Sequence, residues 1–334
     1  MLGITKRISR KLKWGIAGCG KFTETAILPT FNLIPKSKIN AIFSNDAKRA
    51  KALAEKFLIP KSFNNFDEFL QSDIDVVYIA SANANHYEQV IKAAKAKKHI
   101  LCEKPMSVTT AQAEEMVRVC KENGVQFAVD FVYRFHPLVE KTKAIIDSSL
   151  LGKILYINAE FNINLIPRDN FRYNKEAAGG GAIRDLGTHL FDLMRYLCGE
   201  VEVIIGVNKS LEYKSEVEDF ASGIVKFARG GYGHFQVAYC APKSFNRIEI
   251  IGSKGAVSLD GLISARYGSS KLSILLEGEG KKVFRKRANK LYRLLKSVTK
   301  SFLKNETPFV TGEDGLINMR LMEEFENRCS SAKS

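Results

Sequence analysis

Gly15-Ile16-Ala17-Gly18-Cys19-Gly20-Lys21-Phe22-Thr23 ends a short apolar run that begins at Trp14, and its reading decides the fold. An apolar strand that breaks at Gly-x-Gly and runs on into an amphipathic stretch is a strand-to-helix turn. Gly18 permits the tight bend, and Gly20 lets backbone approach a pyrophosphate at the helix N-terminus, with Lys21 and Phe22 at the mouth. Thr23 stands where a third glycine or alanine is usual. A plain strand-to-helix turn uses the same glycines, so the neighbouring sequence has to distinguish the two.

Working outward, short apolar runs at residues 14–17, 39–43, 76–80, 99–101 and 126–129 alternate with amphipathic stretches, notably 46–57, 87–96 and 109–123. That alternation predicts parallel strands joined by helices, so residues 1–132 read as a doubly wound Rossmann domain. The second strand ends at Ser44-Asn45-Asp46, where an NAD site ordinarily places a carboxylate for the ribose hydroxyls. Ser44 and Asn45, with Arg49 on the next turn, suit a 2′-phosphate and hence NADP; Asp46 keeps NAD as the alternative. Ser81-Ala82-Asn83-Ala84-Asn85-His86 falls at the carboxyl edge of the sheet. Ser81, Asn83 and His86 are therefore expected to face the cofactor, and Asn83 or Asn85 to cap the next helix.

The 334 residues are 45% hydrophobic and 26% charged, enough for two domains with cores of their own. No apolar run approaches the roughly 18 residues of a membrane span, and the start lacks a signal-peptide core, so a cytoplasmic location is expected. Six scattered cysteines without Cys-x-x-Cys, and five histidines without ligand spacing, predict neither a disulfide framework nor a metal.

The net charge of +15 resides in two segments: residues 1–13 hold five Lys/Arg, residues 281–304 hold ten, and neither contains an acid. The rest is neutral overall, which points to an enzyme-like body with two basic appendages and away from nucleic acid. Within the second segment Leu291, Leu294, Leu295, Val298 and Phe302 share one helical face, opposite Lys290, Arg293, Lys296, Lys300 and Lys304. Such a helix either packs on a core with its charged face in water or touches an anionic surface, a membrane or a phosphorylated substrate.

Three further motifs follow the glycine turn: Glu103-Lys104-Pro105, then Tyr133-Arg134-Phe135-His136-Pro137, then Gly179-Gly180-Gly181 leading into Asp185, Gly187, His189 and Asp192. With these in this order, over about residues 12–330, the chain resembles the Gfo/Idh/MocA oxidoreductases, relatives of glucose-fructose oxidoreductase and inositol dehydrogenase. The resemblance implies a second α+β domain, residues 133–310, on an open, mainly antiparallel sheet. The sequence supports it with candidate strands at 154–161, 201–208, 221–227, 232–238 and 247–251 and a turn at Arg229-Gly230-Gly231. A final segment, 311–334, is expected to return to the first domain, and one sheet face to make a homodimer or homotetramer.

Oxidising a carbinol carbon requires a base within hydrogen-bond reach of the hydroxyl. Lys104 is the first candidate. A lysine ammonium, ordinarily near pKa 10.4, serves as a base near neutrality only where desolvation or a neighbouring positive charge lowers it. The resemblance makes the Lys104-Pro105 bond cis, and makes Asp185 and His189 substrate ligands and proton-relay partners. Their four-residue spacing puts both on one face of a helix beginning near Asp185. Glu103 and Arg134 join the cofactor side, and Tyr133 and Arg172 the substrate side. The substrate class is a polyol, sugar, cyclitol or sugar nucleotide; a non-catalytic dinucleotide sensor using its basic segments for a partner is the rival.

Overall fold

The computed structural model describes residues 10–168, 171–263 and 268–331, so most of the first basic segment and Asn170 lie outside the described residues. Six strands, β1 (Leu12–Ala17), β2 (Ser37–Phe43), β3 (Lys61–Phe63), β4 (Val76–Ile79), β5 (His99–Cys102) and β6 (Phe127–Val129), form a parallel sheet in the order β3-β2-β1-β4-β5-β6. The order reverses beside β1, which opens the crevice where such sheets bind ligands. All four residues of β4 are fully buried, because helices cover both faces of a parallel sheet. The helices are close to those predicted: Ala47–Phe57, Asn83–Lys95 and Thr110–Glu122. The short β3 and the helix Phe66–Gln71, which is capped by Asn65, lay below the sequence pattern.

The second sheet comprises β7 (Ile154–Asn164), β8 (Val201–Lys209), β9 (Phe220–Phe227), β10 (Tyr232–Ala238), β11 (Cys240–Gly252), β12 (Gly255–Asp260), β13 (Ser269–Leu276) and β14 (Lys282–Arg287). Their order is β14-β13-β12-β11-β7-β10-β9-β8, antiparallel except for β7 with β10. Alternation along the strands sends Ile157, Phe161, Phe235 and Ile248 inward, where Phe191 of the helix Thr188–Cys198 meets Phe235 edge-on at 4.8 Å. Strands β12 to β14 were not anticipated. Strand β14 is exposed along its whole length, so no apolar alternation marks it.

The basic segment at 281–304 is no appendage. It supplies the edge strand β14 and the helix Lys290–Lys304, whose Leu291, Leu294, Leu295, Val298 and Phe302 are all buried. Phe302 stacks on Trp14 at 6.3 Å and Thr299 is 3.0 Å from Ser37, so this helix packs on the first domain although its residues fall within 133–310. Its apolar face is spent on the core, which leaves only its charged face for any membrane. The last helix, Gly312–Ser331, bridges both domains: Arg320 pairs with Glu114 of the first, while Phe325 packs at 5.2 Å on Phe235 of the second. Among the described residues no helix is long and apolar enough to cross a membrane.

Candidate active site

A cleft of about 1110 Å³ runs from the carboxyl edge of the parallel sheet to the end of β7 and the start of β11. At one end is the glycine turn. Gly18 has φ +111°, and a Cβ there would come within 2.5 Å of Ala80 O, so only glycine fits. A Cβ on Gly20 would meet no protein atom within 4 Å, which leaves that backbone open to a ligand from the cleft. Thr23 takes the third glycine's place by closing the turn itself, its hydroxyl donating to Gly18 O at 2.8 Å. Lys21, Phe22, Ser44, Asn45 and Arg49 line the same end. Asp46 instead caps the next helix, accepting from Arg49 N at 3.1 Å. An open glycine turn at a helix start, a polar end beyond β2 and a long cleft between them fit a nicotinamide dinucleotide.

At the other end the Lys104-Pro105 peptide is cis, and Glu103 and Lys104 line the floor. Lys104 Nζ donates to Asp185 Oδ1 at 2.5 Å and to the Asp185 carbonyl at 2.9 Å. Arg172 Nε and the Tyr239 hydroxyl each donate to Asp185 Oδ2 at 3.1 Å. Burial opposes charge on Asp185, yet Lys104 and then Arg172 hold its carboxyl well below the usual carboxylate range. Asp185 sits in a π-helical turn, Ile183–Gly187, which runs into the helix Thr188–Cys198. Glu218 fixes that turn by accepting from Gly181 N and Ile183 N, both at 3.0 Å.

The structure divides the residues expected at the site. Ser81 and Asn83 line the cleft, but Asn83 caps nothing; it donates to Ala178 O at 2.9 Å and ties the domains together. His86 does not reach the cofactor side. It is fully buried between Pro105 O at 3.0 Å and Ser81 O at 3.2 Å, bracing two loops that do.

Arg134 is likewise withdrawn, bonded to Asp192 at 2.6 Å and Asp314 at 3.0 Å in a buried cluster that joins both domains to the last helix. Asp185 lines the cleft from the π turn, whereas His189 follows in the helix Thr188–Cys198. His189 lies outside the cleft lining, with its ring 4.7 Å from that of buried Tyr133. Burial, then the positive charge of Lys104, pushes His189 well below its ordinary pKa and keeps it neutral. Tyr133 in turn lies under Lys290 Nζ at 4.9 Å.

Sequence reasoning missed Tyr239, which bonds Asp185, and Asn164 and Arg168, which line the same cleft. Each stands at a strand end or in a loop of the second sheet, and only their convergence in space marks them.

A Rossmann domain with an open glycine turn, joined to a second sheet that brings Asp185 onto Lys104, defines a nicotinamide-dependent oxidoreductase. Residues 12–131 match the oxidoreductase family with an NAD-binding Rossmann fold, and residues 139–258 match the GFO/IDH/MocA C-terminal domain; the chain belongs to the Gfo/Idh/MocA oxidoreductase family. The chain is 30% identical over 253 residues to trans-1,2-dihydrobenzene-1,2-diol dehydrogenase of Bos taurus, covering 74% of each chain. Among solved structures, aldose-aldose oxidoreductase from Caulobacter crescentus, complexed with glycerol, superposes with a TM-score of 0.90 at 26% identity, over 97% of this chain and 98% of that one. Levoglucosan dehydrogenase, in complex with NADH and levoglucosan, shares the fold with a TM-score of 0.89 at 20% identity, over 96% and 98%.

Proposed function

We propose that this chain is an NAD(P)-dependent dehydrogenase or reductase that interconverts a hydroxyl and a carbonyl on a sugar, cyclitol or sugar nucleotide, with Lys104 as the acid/base group. The observation that carries the reading is the Lys104–Asp185 contact, which sets a lysine and a carboxylate together beside the glycine-turn cleft. The cofactor, when bound, supplies the hydride acceptor or donor. Gly18 and Gly20 would cradle its pyrophosphate, and Ser44, Asn45 and Arg49 would meet its adenosine end.

In the oxidative direction Lys104 Nζ takes the proton of the substrate hydroxyl, and Asp185 stabilises the ammonium so formed. In the reductive direction the ammonium returns that proton to the oxygen. Arg172 and Tyr239 both hold Asp185 Oδ2 and leave Oδ1 to Lys104, so the lysine meets substrate from one fixed position. Asn164 and Arg168 offer further polar contacts for a polyhydroxylated ligand.

Arg49 at the adenosine end, with Asp46 turned away into its helix cap, favours NADP over NAD. The outer face of the second sheet supports a second copy of the chain as partner: Ile205 pairs with Ile224, Tyr156 with Tyr232 and Ile251, and all five side chains are exposed.

Fluorescence titration with NADPH and NADH, on wild type and Arg49→Ala, tests the cofactor reading. Tighter NADPH binding, lost on substitution, is expected; binding of neither nucleotide overturns the dehydrogenase reading.

A further inference from the structure

Behind Lys104, where the mechanism above makes no demand, two carboxyl groups meet one phenol. Tyr78 at the end of β4 is fully buried, and its oxygen is 2.7 Å from Glu103 Oε1 and 2.6 Å from Asp130 Oδ2. A phenol has one proton and can donate to one of these oxygens only. The second short contact therefore requires that one carboxyl carry a proton and donate to the phenol oxygen; two carboxylates would otherwise face each other across it.

Asp130 is the one that fits. It is 3% exposed, and its Oδ1 has no hydrogen-bond partner, a heavy penalty for an ionised group and a smaller one for a neutral acid. Burial raises Glu103 as well, but Glu103 borders the cleft, where the Tyr78 hydroxyl, Lys104 beside it and Arg172 favour its negative charge, and it is raised less than Asp130. The other titratable groups facing the pair are Cys102 and Tyr133, neutral in these surroundings, so no further cation offsets a second carboxylate.

We propose that Asp130 is a permanently protonated positioning residue that donates to Tyr78, which in turn donates to Glu103, holding a single negative charge in fixed orientation on the cleft floor. Burial first, then the charge of Glu103, raises Asp130 well above the usual carboxylate range, while Tyr78 retains its own proton. The floor is then balanced, Lys104 and Arg172 against Asp185 and Glu103. This matters to a cofactor whose nicotinamide is cationic when oxidised and neutral when reduced, and to that extent the inference rests on the proposed function.

The direct test needs no substrate and no cofactor. Carbon-13 carboxyl NMR of the full-length protein with labelled aspartate, assigned by difference from Asp130→Asn, is expected to show one resonance at the protonated-acid position that does not titrate between pH 5 and 9 (about the span from an ordinary carboxylate to a strongly raised one). Infrared difference spectra should show the matching carbonyl band, weakened or displaced in Tyr78→Phe. A resonance at the carboxylate position at neutral pH overturns the proposal.

Asp130→Asn preserves the donor to Tyr78, so it should leave the ratio of oxidised to reduced cofactor affinity within about twofold. Loss of an ionised carboxylate would move that ratio by on the order of tenfold, which again sinks the idea. Should Asp130→Asn fail to fold, Tyr78→Phe and the wild-type titration still decide. Failure of the dehydrogenase reading shows separately, as absence of nucleotide binding with the Asp130 signal intact.

Discussion

Lys104 Nζ touches Asp185 twice, at the carboxylate oxygen 2.5 Å away and at the backbone carbonyl 2.9 Å away, across 81 residues of sequence and the boundary between two sheets. One residue of the second domain thus fixes the ammonium of the first. The two domains cannot shift against each other without breaking this contact, and with it the position of the proposed proton-transfer group.

Lys104→Ala and Asp185→Asn are therefore expected to lower turnover by roughly 10²- to 10⁴-fold while nucleotide affinity stays near wild type. Steady-state rates on a panel of sugars, paired with NADPH titration, check this. Turnover that survived both changes would show that another group moves the proton.

Gly20→Ala separates binding from folding. The added methyl meets no protein atom within 4 Å, so the unfolding midpoint should be unchanged while nucleotide affinity falls. Gly18→Ala, with φ +111° and Ala80 O at 2.5 Å, should lose both, at a strain cost of about 1 to 3 kcal/mol. Thermal unfolding with and without nucleotide reads the difference.

Arg134 is expected to matter for stability and not for the cofactor. Arg134→Leu removes the cation bonded to both Asp192 and Asp314, a loss of about 3 to 5 kcal/mol for a buried pair broken on one side. Urea denaturation measures it; a large change in nucleotide affinity in the folded variant would return Arg134 to the cofactor site.

Acid should weaken the fold through His136. Its Nδ1 accepts from Leu138 N at 3.1 Å, and burial, then Lys290 and Arg293, lower its pKa from 6.5 to about 4. The unfolded chain then binds the proton that the folded one refuses. The contribution is complete above pH 6.5 and is lost as pH falls from there through 4, on the order of 3 kcal/mol in all. His136→Asn keeps a capping acceptor without the titration, so its stability should be flatter between pH 7 and pH 4.5 (roughly the ends of that window).

The sequence by itself determined the Rossmann half, because a parallel sheet covered on both faces writes its strands as apolar runs and its pyrophosphate turn as Gly18 and Gly20. It also named Lys104, Asp185 and Arg172, since chemistry-bearing residue types sat in recognisable order. Strand β14 stayed hidden, as an exposed edge imposes no apolar alternation. The basic helix read as packed on a core or set on an anionic surface, because amphipathicity specifies a buried face but not what it is buried against. Tertiary structure alone decided that Arg134 and His86 are internal braces, that His189 stays out of the cleft lining, and that Tyr239 closes on Asp185 and Tyr78 on Asp130. The hydrogen bonds among them reach across as many as 180 positions, and local pattern carries no information about which distant side chains the folded layers bring within hydrogen-bond reach.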